Sequence, residues 1–401
     1  MFAKLSILIL ASVAFVGSTS IADLRGESGE VDQNRLMSVS NPLQKPLKVH
    51  LERVKARGNS DATFYIGKVA IGQPPQELRV LFDTSSGHVL VPHRACKSLA
   101  CRTHKQYSPA RSATAADVNV DGTPVDKGHR LARNGLIRTG VSVDFTQADL
   151  GEGQAKTVVV RENVCMAGDV GDACANLEIV TAINMTDVPF VAMPNDGIVG
   201  LGLESLAAGH LLSFMTILME ESKNVLPQFG ISFGLDGGDI YFGGQSPSLT
   251  SPIQWLPVDH PDGGYWQVEI KEVRVGGKVI DACKRGCHGI VDSGTSHLGV
   301  QSYRLPMLRV ALVTELLPSS ACVGPTLEFD LGPMAITLRA QDYVDESCKP
   351  ALGPLNLEEP AFVGVYAFGE SVLRRYYAAF DMANKKVGFV PFAASSSTVV
   401  V

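Results

Sequence analysis

The chain has no long basic run. Its formal net charge is −6, with 19% charged residues, and that balance argues against nucleic acid as a partner. Beyond the N-terminus, no apolar stretch approaches the ~20 residues that a membrane-spanning helix needs. There is no Cys-x-x-Cys pair and no His-x-His set, so the thiols lack zinc-site spacing, and neither a metal nor another cofactor is expected. No tyrosine occurs between Tyr107 and Tyr241. The C-terminal stretch Ser395–Val401 is too short for a lipid-anchor signal.

What is present reads as a secreted globular protein. Hydrophobic residues make up 45% of the 401, enough for two cores of ordinary domain size. Lys4, an apolar stretch Leu5 to Val16 and the small residues Gly17 to Ser20 have a signal-peptide layout. The eight cysteines are an even number, which fits an oxidising compartment. Asn184-Met185-Thr186 is the one glycosylation sequon.

From Phe64 onward the pattern is strand-rich. Leu78, Val80 and Phe82 alternate with Glu77 and Arg79, a period of two. Helical spacing appears only in short pieces, at Leu211, Phe214, Met215 and Leu218 and again over Tyr303 to Leu317. The expected fold is mostly β, with a few outlying helices. Residues 115–140 are polar and Gly-rich and read as an inserted surface loop.

Two stretches share one grammar. Ile290-Val291-Asp292-Ser293-Gly294-Thr295 runs from apolar residues into an acid followed by small and hydroxyl residues. Val80-Leu81-Phe82-Asp83-Thr84-Ser85-Ser86 does the same 209 positions earlier. Hairpin patterns precede both, turning at Gly72-Gln73-Pro74-Pro75 and at Gly276-Gly277. Gly294 reads as a residue needed for positive φ or for a close backbone approach. An internal duplication that gives each half one acid implies two lobes meeting at a carboxylate pair.

On these residues the chain resembles the pepsin-like aspartic endopeptidases, from about Phe64 to Pro391. Ile71 to Gln76 resembles that family's opening hairpin, and Cys96 to Cys101 its small disulfide loop. Asp196 to Leu201 and Ala367-Phe368-Gly369 resemble the elements behind each catalytic loop. Gly264 to Gln267 and Ala379-Phe380-Asp381 are similar to its C-lobe signatures. The resemblance implies a bilobal acid-protease fold, two β-barrel-like lobes with a central cleft. Its expected divisions are a signal peptide at 1–20, a prosegment at 21–57, an N-terminal lobe at 58–235, a C-terminal lobe at 236–394 and a tail at 395–401.

It also implies that Asp83 and Asp292 are catalytic. Thr84 and Ser293 would join the two loops, and Ser86 and Thr295 would bond the outer carboxylate oxygens. Ser85 and Gly294 would supply backbone N–H groups. Expected disulfides are Cys96–Cys101, Cys283–Cys287 and Cys322–Cys348, which resemble family bridges, and Cys165–Cys174, which rests on proximity. A peptide or protein substrate, inhibition by the chain's own prosegment, a monomeric state and a secreted or vacuolar/lysosomal destination are implied as well. The segment Leu47 to Lys55 resembles a prosegment start; the alternative is a disordered leader with a solvated charge run.

The chain departs from the family in three places. Ser85 replaces the usual glycine, and its Cβ would limit the turn. Leu90 replaces a tryptophan. The flap hairpin, read as Val141 to Phe145, a tip over Thr146 to Gly153 and a return through Lys156 to Val160, has Phe145 where a tyrosine is usual. Phe145 is thus either the cleft residue of the flap or a core residue of a half-buried strand. His88 and His297 each follow a catalytic loop and read as hydrogen-bonded or solvated. A non-catalytic peptide-binding protein of the same fold and a two-carboxylate glycosidase are the alternative functions. Retention of both aspartates weighs against the first, and the duplicated Asp-hydroxyl-small turns weigh against the second.

Overall fold

A computed structural model describes residues 45–58, 61–125, 140–147, 150–168, 171–221, 226–313, 315–316, 322–355 and 364–392. The expected signal segment, the leader as far as residue 44, Asp149 at the flap tip and the tail 395–401 lie outside these residues.

Strands dominate, in a bilobal pepsin-like arrangement. In the first half they are β1 (Leu47–Lys55), β2 (Thr63–Ile71), β3 (Gln76–Asp83), β4 (Val89–Pro92) and β5 (Ala116–Val118). The flap and its neighbours follow as β6 (Ser142–Gln147), β7 (Gly151–Gly168), β8 (Gly171–Met185) and β9 (Gly197–Gly200). The middle of the chain supplies β10 (Gln228–Phe233), β11 (Gly238–Phe242), β12 (Gln254–Pro257), β13 (Gln267–Glu269), β14 (Glu272–Val275) and β15 (Lys278–Asp281). Then come β16 (His288–Val291), β17 (Leu298–Gln301), β18 (Glu315–Leu316), β19 (Cys322–Val323), β20 (Leu327–Asp330) and β21 (Ala335–Leu338). The last are β22 (Leu352–Leu355), β23 (Val365–Phe368), β24 (Tyr376–Asp381) and β25 (Lys386–Pro391). Short helices α1 (Leu99–Arg102), α2 (Phe214–Glu221), α3 (Leu305–Ala311), α4 (Ala340–Tyr343) and α5 (Glu370–Leu373) punctuate them.

One large sheet runs through β12-β25-β24-β10-β11-β1-β2-β3-β9-β4-β8-β7-β5, with β6 attached to β7. Strand β7 also pairs with β2, so the first half of the sheet bends back on itself. The second half is built from smaller sheets, β13-β16-β23-β17-β22 and β15-β14-β20-β21.

Sequence pattern explains the strands that carry the acids. In β3, Leu78 and Val80 are buried and alternate with more exposed neighbours; Leu81, Phe82 and Asp83 are then all buried. The period of two gives way to a continuous run because the strand end is covered on both faces. Leu81 packs in one apolar cluster and Phe82 in another. In β16, Ile290 and Val291 divide between two clusters in the same way. Each of these strands lies parallel to a short partner, β3 to β9 with Asp83 opposite Gly200, and β16 to β23 with Val291 opposite Phe368.

Strand β1 lies between β11 and β2. Leu47, Val49 and Leu51 are buried and alternate with His50 and Glu52 on the exposed side. The part of the expected prosegment that resembled a prosegment start is therefore an interior strand here. Its cations are paired, Lys48 with Asp239, Lys55 with Glu346, and Arg53 with the buried carboxylate of Glu370 at 2.8 Å. Residues 116–118, expected to be loop, add an edge strand to β7; residues 126–139 lie outside the described ones. All four expected disulfides are formed, and Cys165 faces Cys174 directly across β7 and β8.

Candidate active site

The two turns that follow β3 and β16 meet face to face. The Thr84 N–H donates to Ser293 Oγ and the Ser293 N–H donates to Thr84 Oγ1, both at 3.0 Å. Each hydroxyl also donates across the seam, Thr84 Oγ1 to the Val291 carbonyl and Ser293 Oγ to the Phe82 carbonyl, both at 2.7 Å. Thr84 is 0% and Ser293 5% exposed. Four reciprocal bonds at a buried seam fix one loop against the other, because breaking any of them strands a backbone group away from water.

This junction holds the two acids in matching cradles. The Ser85 N–H donates to Asp83 Oδ1 at 2.9 Å, and the Gly294 N–H donates to Asp292 Oδ1 at 2.8 Å. The outer oxygens take hydroxyls: Ser86 Oγ donates to Asp83 Oδ2, and Thr295 Oγ1 donates to Asp292 Oδ2 at 2.7 Å. The Ser85 hydroxyl reaches both inner oxygens, 2.8 Å from Asp83 Oδ1 and 3.1 Å from Asp292 Oδ1. Burial, and then the negative charge of Asp83, push the Asp292 carboxyl up to about 6. The bonds from Thr295, Gly294 and Ser85 oppose that rise.

Two expectations about these turns resolve. Gly294 has no positive φ. It is needed for close approach, since a Cβ there would stand 2.9 Å from Asp83 Oδ1. Ser85 likewise lies outside the left-handed region, so its Cβ imposes none of the backbone strain that a positive φ would bring.

The flap hairpin forms, with Phe145 opposite Gly153 and Gln147 opposite Gly151. Phe145 is 8% exposed and lies in the apolar cluster that also holds Leu90; its ring is 5.7 Å from that of Phe190. The two departures from the tyrosine–tryptophan pattern thus share one apolar site. Gln147, two positions on, was not singled out from sequence. It is 2% exposed, and its Nε2 lies 3.4 Å from the Ser296 hydroxyl, just past the second loop. Tyr265 is also close to the acids. Burial first, and then the charges of Asp292 and Asp83, hold its hydroxyl above the usual range.

His88 accepts a hydrogen bond from the Ala208 N–H at 2.9 Å, and burial holds its imidazole below its ordinary value; it braces the loop as a neutral acceptor. Asn184 is exposed on β8. Among the described residues no helix is long and apolar enough to cross a membrane.

Paired carboxylates heading twin loops, in a mostly β bilobal fold, define the aspartic class of peptide-bond hydrolases. Comparison with known proteins agrees. A family model described as "Eukaryotic aspartyl protease" matches residues 64–131 and 142–392, and the chain belongs to that family. It is 30% identical to cathepsin E of Oryctolagus cuniculus over 347 residues, covering 82% of this chain and 80% of that protein. It is 30% identical to gastricsin of Mus musculus, covering 82% of this chain and 81% of that protein. With gastricsin of Cavia porcellus the identity is 31%, covering 82% of this chain and 80% of that protein. The chain is an aspartic endopeptidase.

Proposed function

We propose that Asp83 and Asp292 share one proton and together activate the water that attacks a peptide carbonyl. The observation that carries this reading is the matched cradle. Each inner oxygen takes a loop N–H, each outer oxygen takes a hydroxyl, and one side-chain hydroxyl touches both inner oxygens. Two carboxylates held this close do not both ionise cheaply, a property of aspartic proteases as a class that is carried over here. The ionised carboxylate takes a proton from water as the oxygen attacks. The protonated one donates to the developing oxyanion and then assists departure of the amine. Neither a nucleophilic side chain nor a metal is required.

The substrate is an extended peptide segment, bound between the flap hairpin and the two loops and cleaved between hydrophobic residues. The chain acts as a monomer in the secretory pathway, and Asn184 is a site for glycan attachment. The removable prosegment extends over residues 21–57, and its release at low pH would withdraw β1 from β2 and β11 and part Arg53 from the Glu370 carboxylate, which keeps Arg374.

The deciding experiment is peptide cleavage by the purified chain from acid to neutral pH, with and without a pepstatin-type inhibitor. Acid-optimal cleavage abolished by the inhibitor is expected. Inhibitor-resistant cleavage, or tight peptide binding without turnover, would overturn the mechanism.

A further inference from the structure

The two loops differ at one position that touches the chemistry. In the second loop Gly294 carries no side chain, and a Cβ there would stand 2.9 Å from Asp83 Oδ1 and 3.2 Å from Asp292 Oδ1. In the first loop the matching residue is Ser85, whose hydroxyl lies 2.8 Å and 3.1 Å from those same oxygens. One flank of the inner oxygen pair is thus left open by a glycine, and the other is occupied by a hydroxyl.

We propose that Ser85 is a positioning residue that holds the Asp83–Asp292 pair in its singly protonated form. This rests on the reading of that pair as the catalytic dyad. A hydroxyl has one hydrogen to give and lone pairs to accept with. With one proton on the pair, Ser85 donates to the ionised carboxylate while its oxygen accepts the proton of the other acid. Both contacts are then favourable, and one is charge-assisted. With no proton on the pair, the hydroxyl can satisfy only one carboxylate, and its lone pairs face the other. With two protons, its hydrogen meets only a neutral carbonyl oxygen and the charge-assisted bond is gone. No bond to carbon forms or breaks, and the pair keeps a net charge of −1 in the favoured state. The Ser85 contact therefore opposes both loss and gain of a proton and widens the pH window of the active form.

Other titratable groups pack against the loops. Tyr265 stands near both acids. His88 braces the first loop through Ala208. His297 follows the second loop and shares a surface pocket with Arg53 and Glu370. Glu370 donates its backbone N–H to the Thr295 carbonyl and pairs with Arg53 and Arg374. None of these contacts depends on the Ser85 hydroxyl, so their contributions persist when it is removed.

The test is the kcat/KM pH profile of wild type, Ser85→Ala, Ser85→Gly and Ser85→Thr. In the Ala and Gly variants the acid limb should move up and the alkaline limb down, each by about half to one pH unit, as expected for loss of one bond to a charged group. Ser85→Thr, which keeps the hydroxyl, should retain most of the width. Carbon-13 titration of the aspartate carboxyls reads the same two limbs without turnover. Limbs that stay in place in both the Ala and Gly variants, or that move together in one direction, would overturn the proposal. Asp83→Asn and Asp292→Asn keep it separate from the dyad reading. If either stays active, the dyad reading fails. If both are dead while the Ser85 variants keep wild-type limbs, only the role of Ser85 fails.

Discussion

The two acid-bearing loops are near copies in their hydrogen bonds and unlike in how the chain reaches them. Asp83 ends a hairpin whose strands β2 and β3 pair without interruption from Ile66–Leu81 to Ile71–Gln76. Asp292 follows a path broken into two pairings, β14 with β15 and β13 with β16. The Cys283–Cys287 disulfide lies between the two. The loops nonetheless converge on the same cradle, because what fixes each acid is local: one N–H and one hydroxyl from the next three residues. The scaffold can vary so long as it delivers those residues to the seam. The asymmetry that survives at the seam itself is Ser85 against Gly294.

The largest expected effect tests whether the two acids are equivalent in function. Asp83→Asn and Asp292→Asn should each lower turnover by at least ~10³-fold, since on the proposed mechanism each removes a proton-transfer group. Both proteins should remain folded, as shown by circular dichroism and thermal unfolding. One variant near wild-type turnover would end the symmetry. The next test addresses the junction. Ser293→Ala leaves the Phe82 carbonyl and the Thr84 N–H without their bonds, and Thr84→Val does the same to the Val291 carbonyl and the Ser293 N–H. Each should cost ~2–5 kcal/mol in denaturant unfolding, from two buried groups stranded at once. The double variant should cost less than the sum of the two, because losing either pair of bonds already loosens the seam that the other pair holds. Strict additivity would show that the four bonds do not act as one unit.

Much of this was legible in the sequence, and the rest was hidden for identifiable reasons. The twin loops were legible because acid, N–H and hydroxyl lie within four consecutive residues. The disulfides were legible because three of the pairs resemble family bridges and Cys165 lies near Cys174 in sequence. Strand β1 was obscured. Its alternation of Leu47, Val49 and Leu51 is plain once seen, but with Lys45, Lys48, Arg53, Lys55 and Arg57 the segment reads as a basic prosegment start, or alternatively as a solvated leader. The partners that seat those cations, Asp239, Glu346 and Glu370, lie roughly 200–300 residues away. The reach of Ser85 to Asp292 and of Gln147 to Ser296 likewise joins residues more than a hundred positions apart, which no local pattern encodes.

A smaller effect concerns pH. Burial and then the charge of Asp83 push the Asp292 carboxyl up to about 6, above the ordinary aspartate value of 3.8. On the proposed mechanism the pair loses its one proton above about 6, so kcat/KM should fall about tenfold per pH unit on the alkaline side. The stability sign follows from the same shift. A carboxyl whose folded-state value is raised contributes stability that is fully present below about 3.8 and is lost as the pH rises through about 6. The melting temperature of wild type should therefore decline between pH 4 and pH 7 more than that of Asp292→Asn. Equal declines would place the raised acid elsewhere.

The smallest effect separates two neighbours on one strand. Phe145 and Gln147 are two apart on β6 and so share a face. Phe145 fills the cluster with Leu90, Met185 and Phe190, whereas Gln147 reaches the second loop at Ser296. Truncating a buried ring of this kind costs ~3–5 kcal/mol, while Gln147→Ala loses the side-chain bonds to Ser296 and from the Leu150 N–H, neutral bonds worth ~1 kcal/mol each. Phe145→Ala should therefore unfold at lower denaturant concentration, with the surviving protein turning over peptide at close to the wild-type rate. Gln147→Ala should melt within a few degrees of wild type. Its kcat/KM should be reduced by about fivefold to tenfold, roughly what one lost hydrogen bond between hairpin and loop allows. Measuring both variants by active-site titration as well as by unfolding keeps the two effects apart. If Phe145→Ala instead melts like wild type and loses turnover strongly, the ring belongs to the substrate cleft. The hairpin would then act through Phe145, and the Gln147 contact with Ser296 would have no part in closing it.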